Sequence, residues 1–330
     1  MKKIILRCGG GLGKQIMATR VAKQIKDKYP DCILHVQTSY PEVFANLEFV
    51  DRYFAYQPIP YFYNDHIDFE ILETEIYSDL QYRLGKEHAI DTWCRKLNIG
   101  KPEELSGIIK LDEGEISAGN QFIMQNKIDT TKLVVFQPFG GTSYYKPEEA
   151  KNTMRVKQAR DLKESTAQSI VAQLKENGFE VLQLSLPTEP VLSGCHRLPD
   201  SNVVNPRVVF SILNQCKYGI FIDSFAQHTW KALGKENAVV LWGATNPKSL
   251  GYDSNINLIR EGSCNSLHCN RPNTHVGDFT GNNNVWKCLF NQKCMQFKAE
   301  DISDKIIQLS KDETIVEPEV KPVKKSKKKK

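Results

Sequence analysis

Residues 218–247, YGIFIDSFAQHTWKALGKENAVVLWGATNP, place an apolar strand directly before Asp223-Ser224, then a helix, then a second apolar strand. That order is half of a doubly wound βαβ arrangement. At such a junction the first N–H groups of the helix sit at the carboxyl edge of the sheet, where the helix dipole favours an anion such as a diphosphate. Asp223 and Ser224 fall at that edge. Ser224 can cap the helix or donate its hydroxyl to a phosphate, whereas Asp223 would repel a phosphate and suits a hydroxyl or a cation. A plain helix cap accounts for the same two residues equally well, because such junctions occur throughout α/β proteins.

The alternation continues outward. LVVFQPFGG (133–141) reads as strand then loop, residues 160–177 as a long helix ending at Gly178, FEVLQLSL (179–186) as the next strand and RVVFSILNQC (207–216) as a helix. At the start of the chain, KIILR (3–7) reads as a buried strand, followed by the glycine-rich turn 9–13, an amphipathic helix to about Lys28 and a parallel strand CILHVQT from Cys32. The G-x-G-x-x-G spacing is incomplete and no acidic residue closes the second strand, so NAD binding is not expected. Residues 42–130 mix short strands and helices, with IDTWCRKLNI as a helix. The expected fold class is α/β, two Rossmann-like doubly wound domains facing a central cleft. The expected division is an N-terminal domain over 1–130, a C-terminal domain over 131–310 with a Cys-rich end, and a disordered Lys-rich tail over 311–330.

At 330 residues, with 40% apolar and 25% charged residues, the chain can bury the cores of two domains. Its +5 formal charge is a property of the end: residues 321–330 hold seven lysines and no acid, which leaves the other 320 residues at −2. The body is therefore no basic nucleic-acid binder, and no specific nucleic acid is expected as partner. The tail can add attraction to an anionic membrane surface. The basic start has an apolar run of three residues, too short for a signal peptide, so the protein is expected in the cytoplasm, at most peripheral to the inner leaflet of a membrane. Nine cysteines argue against a disulfide framework. Four of them, Cys264, Cys269, Cys288 and Cys294, follow C-x4-C-x18-C-x5-C, looser than zinc-ribbon spacing; four thiolates can hold zinc or iron as a structural metal, and reduced structural cysteines are the competing account.

Over most of residues 1–297 the chain resembles glycosyltransferase family 9, the ADP-heptose:lipopolysaccharide heptosyltransferase group. The pieces that carry this occur in the family's order: GGGLGKQIMATRVAKQIKDKYPDCILHVQT with VDRYFAY, then HAIDTWCRKLNIG, VVFQPFGG, NVVNPRVVFSILNQCKYGIFIDSFAQHTWKALG, WGATNPKSLGY and a Cys-rich end closing in KCM. The resemblance implies the two-lobed GT-B fold. It also implies a nucleotide-diphosphate sugar donor on the second lobe, and on the first a glycan, lipid-linked or protein acceptor, with transfer by inversion and no cofactor required. Relatives in this group carry a cysteine-bound metal finger, which bears on the four cysteines above.

Carried over residue by residue, Asp223, Ser224 and His228 match the family's donor element, with Phe225 where the family has glycine. Gly140, Gly141, Thr142 and Ser143 would offer donors to the diphosphate. Arg160 falls near a family lysine that neutralises the leaving group, and its fork geometry suits phosphate; Lys163 is a second candidate. On the first lobe the loop Gly11, Gly13, Lys14 and Gln15 departs from the family, because Lys14 stands where heptosyltransferases carry the aspartate taken as general base. A protonated lysine cannot abstract the acceptor proton. The string GGLGKQ also looks like the GGLGNQ loop of fucosyltransferases, which lies in the cleft without supplying a carboxylate. Asp65 and Asp68, in NDHIDFE, are the replacement candidates; read as a strand, this segment puts Asp65 and Asp68 on opposite faces. A sugar transferase is the reading, and a non-catalytic sugar-nucleotide or glycan-binding protein on the same scaffold is the alternative.

Overall fold

The structure, a computed structural model, describes residues 1–140, 160–185, 189–198, 205–264, 267–269 and 292–316. The first lobe runs β1 (Lys3–Cys8), α1 (Leu12–Lys28), β2 (Ile33–Thr38), β3 (Arg52–Ala55), α2 (Phe62–Asp65), β4 (Glu70–Glu73), α3 (Leu80–Arg83) and α4 (Ala89–Lys96). α5 (Glu113–Gln125) leads to the second sheet, and there follow β5 (Leu133–Gln137), α6 (Glu164–Glu176), β6 (Glu180–Gln183), β7 (His196–Arg197) and α7 (Pro206–Gln215). The chain continues with β8 (Tyr218–Ile222), α8 (Phe225–Ala232), β9 (Val239–Trp242), α9 (Pro247–Leu250), β10 (Ile256–Ile259) and α10 (Ala299–Val316). The four-stranded sheet has the order β3-β2-β1-β4 and the six-stranded sheet β10-β9-β8-β5-β6-β7, with every pairing parallel.

The central strands are buried along their whole length, as Leu-Val-Val-Phe-Gln in β5 and Tyr-Gly-Ile-Phe-Ile in β8 show. Helices cover both faces of a parallel sheet, so such strands read as unbroken apolar runs without alternation. One core cluster runs from Ile4, Leu6 and Val21 through Trp93 and Phe122 to Phe210, Phe221 and Trp230, joining the two lobes. A second lies on the other face of the larger sheet, where Ile170 and Leu174 of α6 meet Ile302 and Ile306 of α10. α10 extends past the boundary expected at 310, to Val316; the rest of the Lys-rich stretch lies outside the described residues. Among the described residues no helix is long and apolar enough to cross a membrane.

Two expectations change. NDHIDFE is not a strand: residues 62–65 form a helical turn and β4 begins only at Glu70. Phe62 and His66, four apart, stack at 4.3 Å within an aromatic cluster that also holds His35, Phe54 and Phe69, and pairs at that spacing meet only on a helix. The helix expected from residue 160 starts at Glu164. Before it, the Leu162 N–H donates to the Pro138 carbonyl and Asp161 accepts from the Gly140 N–H, which ties this segment to the loop after β5.

In each sheet the chain winds first to one side and then to the other. The reversal opens a crevice at the carboxyl ends of β1 and β4 in one sheet, and of β5 and β8 in the other. Ligands of open α/β sheets bind at such points. α1 packs on α8 so closely that a Cβ on Gly13 would lie 2.8 Å from His228 Cδ2 and 3.3 Å from Phe225 Cα. Neighbouring Gly10, at φ +114°, takes a backbone conformation open to glycine alone. Because one obstacle is backbone, Gly13→Ala is expected to push the lobes apart and to cost about 1–3 kcal/mol. Urea denaturation of the variant checks this, and an unchanged midpoint would refute the close-contact account.

Candidate active site between the two sheet crevices

On the second lobe, Arg160 reaches the crevice between β5 and β8 and donates from Nη1 to the Asp223 carbonyl at 2.9 Å. Its Nε is buried without a hydrogen-bond partner among the described residues. Ser224 occupies the position before α8, yet its hydroxyl makes no capping bond to the helix and instead accepts from Gln137 Nε2 at 3.1 Å. The first N–H groups of α8 are thus left without a side-chain cap. The same holds at α1, where Gly11 precedes the helix. Two positive helix ends and a guanidinium therefore converge where the lobes meet, the arrangement that favours a multiply charged anion.

Asp223 is buried, and its carboxyl is held by side-chain hydrogen bonds with Thr245 and Gln227. Burial pushes its pKa above the usual carboxylate value, opposed by Arg160 and by those two bonds. It supports the crevice wall and Arg160 through its backbone carbonyl. His228 is buried too, with Nδ1 2.7 Å from Tyr252 Oη. Phe225, at the first turn of α8, backs against Gly13. The Gly140 N–H is already taken by Asp161, at 2.7 Å. Gly141, Thr142 and Ser143 lie outside the described residues, and Lys163 is exposed just before α6.

On the first lobe, Gln15 is buried and accepts from Thr38 Oγ1, tying the turn to β2. Lys14, with 9% of its side chain exposed, lies 5.1 Å from the Tyr77 ring and 5.4 Å from the Trp93 ring, and pairs with Glu75 at 3.7 Å. Asp68 is exposed and bound to Lys3 at the opening of β1, the edge opposite the glycine-rich turn. Asp65 is exposed on the helical turn between β3 and β4. The geometry brings neither carboxylate to the turn. Sequence reasoning passed over Glu75, Tyr77, Gln137 and Tyr252; of these only Gln137 carried a signal, as the polar end of an apolar run.

Of the four cysteines, Cys264 and Cys269 are partly buried and Cys294 is buried in the core on the α10 side, while Cys288 lies outside the described residues. Among the described residues no three His, Cys, Asp or Glu side chains gather as metal ligands. His268, between the first two cysteines, has its Nδ1 at the Thr245 carbonyl, 2.8 Å away.

This fold recurs in solved structures. The chain aligns with a family 9 glycosyltransferase from Veillonella parvula DSM 2008 at a TM-score of 0.64, covering 94% of this chain and 98% of that one with 13% identity. It has the fold of glycosyltransferase family 9. E. coli ADP-heptose lipopolysaccharide heptosyltransferase II shares this GT-B fold at a TM-score of 0.60, with 12% identity over 95% of this chain and 100% of that one. The dodecameric, iron-containing heptosyltransferase TibC from enterotoxigenic E. coli H10407, in complex with ADP-D-β-D-heptose, matches at 0.62 with 11% identity, over 97% of this chain and 79% of that one. No family model and no curated protein matches the sequence.

Burial pushes His228 down from its ordinary 6.5 to about 3, and burial together with His228 does the same to His88. Both are neutral in the fold, and both take up a proton in the unfolded chain below about pH 6.5. Their contribution to stability is therefore complete above that pH and declines as pH falls towards 3, by up to about 1.4 kcal/mol per pH unit for each. Urea unfolding between pH 7 and 4 should show a steep decline that His228→Gln makes shallower by about that amount. Equal slopes would refute the burial account.

Proposed function

We propose that the protein transfers a sugar from a nucleotide-diphosphate donor to an acceptor hydroxyl, with inversion at the anomeric carbon. One observation carries the reading: Arg160, with a buried unpaired Nε, and the uncapped start of α8 share the crevice between β5 and β8, opposite the glycine-rich turn. The fold supports it, as does the ADP-D-β-D-heptose bound by the structural neighbour TibC. The diphosphate would lie between Arg160 and the first turn of α8. As the bond to the anomeric carbon breaks, negative charge grows on the departing phosphate, and fixed donors and dipoles stabilise that charge more than they stabilise the intact donor. No metal is needed at the diphosphate in this scheme.

Lys14 in place of a carboxylate, and Phe225 at the helix start, favour the second reading, a sugar-nucleotide-binding protein without catalysis. Consumption of a nucleotide sugar by the purified protein excludes it. A structural zinc or iron at Cys264, Cys269, Cys288 and Cys294 belongs to the same proposal. Elemental analysis should find one equivalent, lost in the Cys264→Ser/Cys269→Ser variant, and a folded, metal-free protein would end the idea.

The nucleotide itself can be found by thermal unfolding with ADP, GDP, UDP, CDP and dTDP. A ligand at 100 times its Kd stabilises the folded state by about 2.7 kcal/mol. One nucleotide is expected to raise the midpoint. Arg160→Gln should weaken that binding about tenfold to a hundredfold, as loss of a charged hydrogen bond to phosphate implies. No response to any nucleotide would overturn the donor site.

A further inference from the structure

We infer that Glu75, at the carboxyl end of β4, is the base that deprotonates the acceptor, with Lys14 as its positioning partner. The inference rests on the transfer reading above.

The crevice of the first lobe opens between the carboxyl ends of β1 and β4. The glycine-rich turn follows β1 and brings Lys14; Glu75 follows β4, two residues beyond its end at Glu73. Lys14 is pinned between the Tyr77 and Trp93 rings, with its ammonium 3.7 Å from Glu75 Oε2. Glu75 Oε1 accepts the Tyr77 N–H at 2.7 Å, which fixes the carboxylate at the mouth of the crevice, and the side chain stays 58% exposed. An acceptor can therefore reach it. Gly13, the neighbour of Lys14, joins this pair to the donor side: it lies against the first turn of α8, where an added Cβ would stand 3.3 Å from Phe225 Cα. Glu75 and the diphosphate-binding groups thus flank one cleft. Neighbouring Glu73 is engaged elsewhere, with Tyr56 Oη at 3.1 Å and Arg7 at 3.4 Å. Asp65 and Asp68 stay clear of the turn, so Glu75 is the carboxylate that meets Lys14.

In the step, the acceptor hydroxyl gives its proton to the Glu75 carboxylate while its oxygen forms the bond to the anomeric carbon. The bond from that carbon to the phosphate oxygen breaks, and its electron pair leaves on the nucleotide diphosphate. Glu75 then returns the proton to solvent. Lys14, a cation 3.7 Å from the base, holds it in place beside the glycine-rich turn.

The test compares two nucleophiles on one donor. ADP-D-β-D-heptose, GDP-mannose, UDP-glucose and dTDP-rhamnose serve as donor probes, with water as an acceptor that needs deprotonation and sodium azide as one that does not. Glu75→Gln is expected to lower kcat with water by about 10²–10⁴-fold, leaving KM for the donor unchanged and removing the acid limb of the pH profile. Azide-dependent turnover should stay near the wild-type rate. Glu73→Gln serves as the control and should retain both activities. Wild-type turnover that Glu75→Gln leaves intact, or that it lowers equally for water and azide, overturns the assignment of the base alone. A wild-type protein inert towards every donor with both nucleophiles overturns the transfer reading, and the base with it.

Discussion

The contact between the first turn of α1 and the first turn of α8 is the constraint on which the rest of the structure depends. Gly13 lacks a side chain, so His228 and the Phe225 backbone can come against it, and the carboxyl edges of two separate parallel sheets are held face to face. Each edge brings the start of a helix, and neither start is capped by a side chain. Two positive dipole ends with Arg160 and Lys14 close by would repel one another if nothing intervened. Asp223 and Glu75 offset part of that charge from within the chain. An anion in this gap would offset the remainder.

The charges divide into fixed and accessible groups. Asp223 is bound by Thr245 and Gln227, and its carbonyl orients Arg160; His228 is neutral and bonded to Tyr252. Both are buried in the wall of the crevice. A wall that is buried and hydrogen-bonded moves little when a ligand binds, and rigid donors are the ones that stabilise developing charge without reorganising.

Most of the fold was legible in the sequence because the central strands announce themselves. The apolar runs of β5, β8 and β9 are buried on both faces, and their junctions with helices need few residues. The site was legible only in part. Arg160 came from its place near a family lysine, and the loop that delivers it, held by Asp161 on Gly140 and by Leu162 on Pro138, depends on tertiary hydrogen bonds. β4 was hidden for a different reason: Glu-Ile-Leu-Glu on a sheet edge is mostly exposed and carries no apolar run. With β4 unseen, Glu75 had no address, and attention fell on Asp65 and Asp68 instead. The helical turn that carries Asp65 packs its His66 against His35, distant in sequence, which local alternation does not register.

Few residues are identical between this chain and the structures that share its fold, and the reason bears on where the acceptor chemistry sits. What a doubly wound fold must keep is apolar volume in the central strands and a reversal of winding; neither specifies which strand end presents a charged group. β1 and β4 are hydrogen-bonded neighbours, so their carboxyl ends lie about 5 Å apart. A carboxylate extending from either end reaches the same space above the crevice. A cation at the β1 end then costs the site nothing if an anion stands at the β4 end, and the ion pair between Lys14 and Glu75 has that form. The lysine that looks like a loss when the loop is read alone becomes, in three dimensions, the partner that holds the neighbouring glutamate beside the crevice.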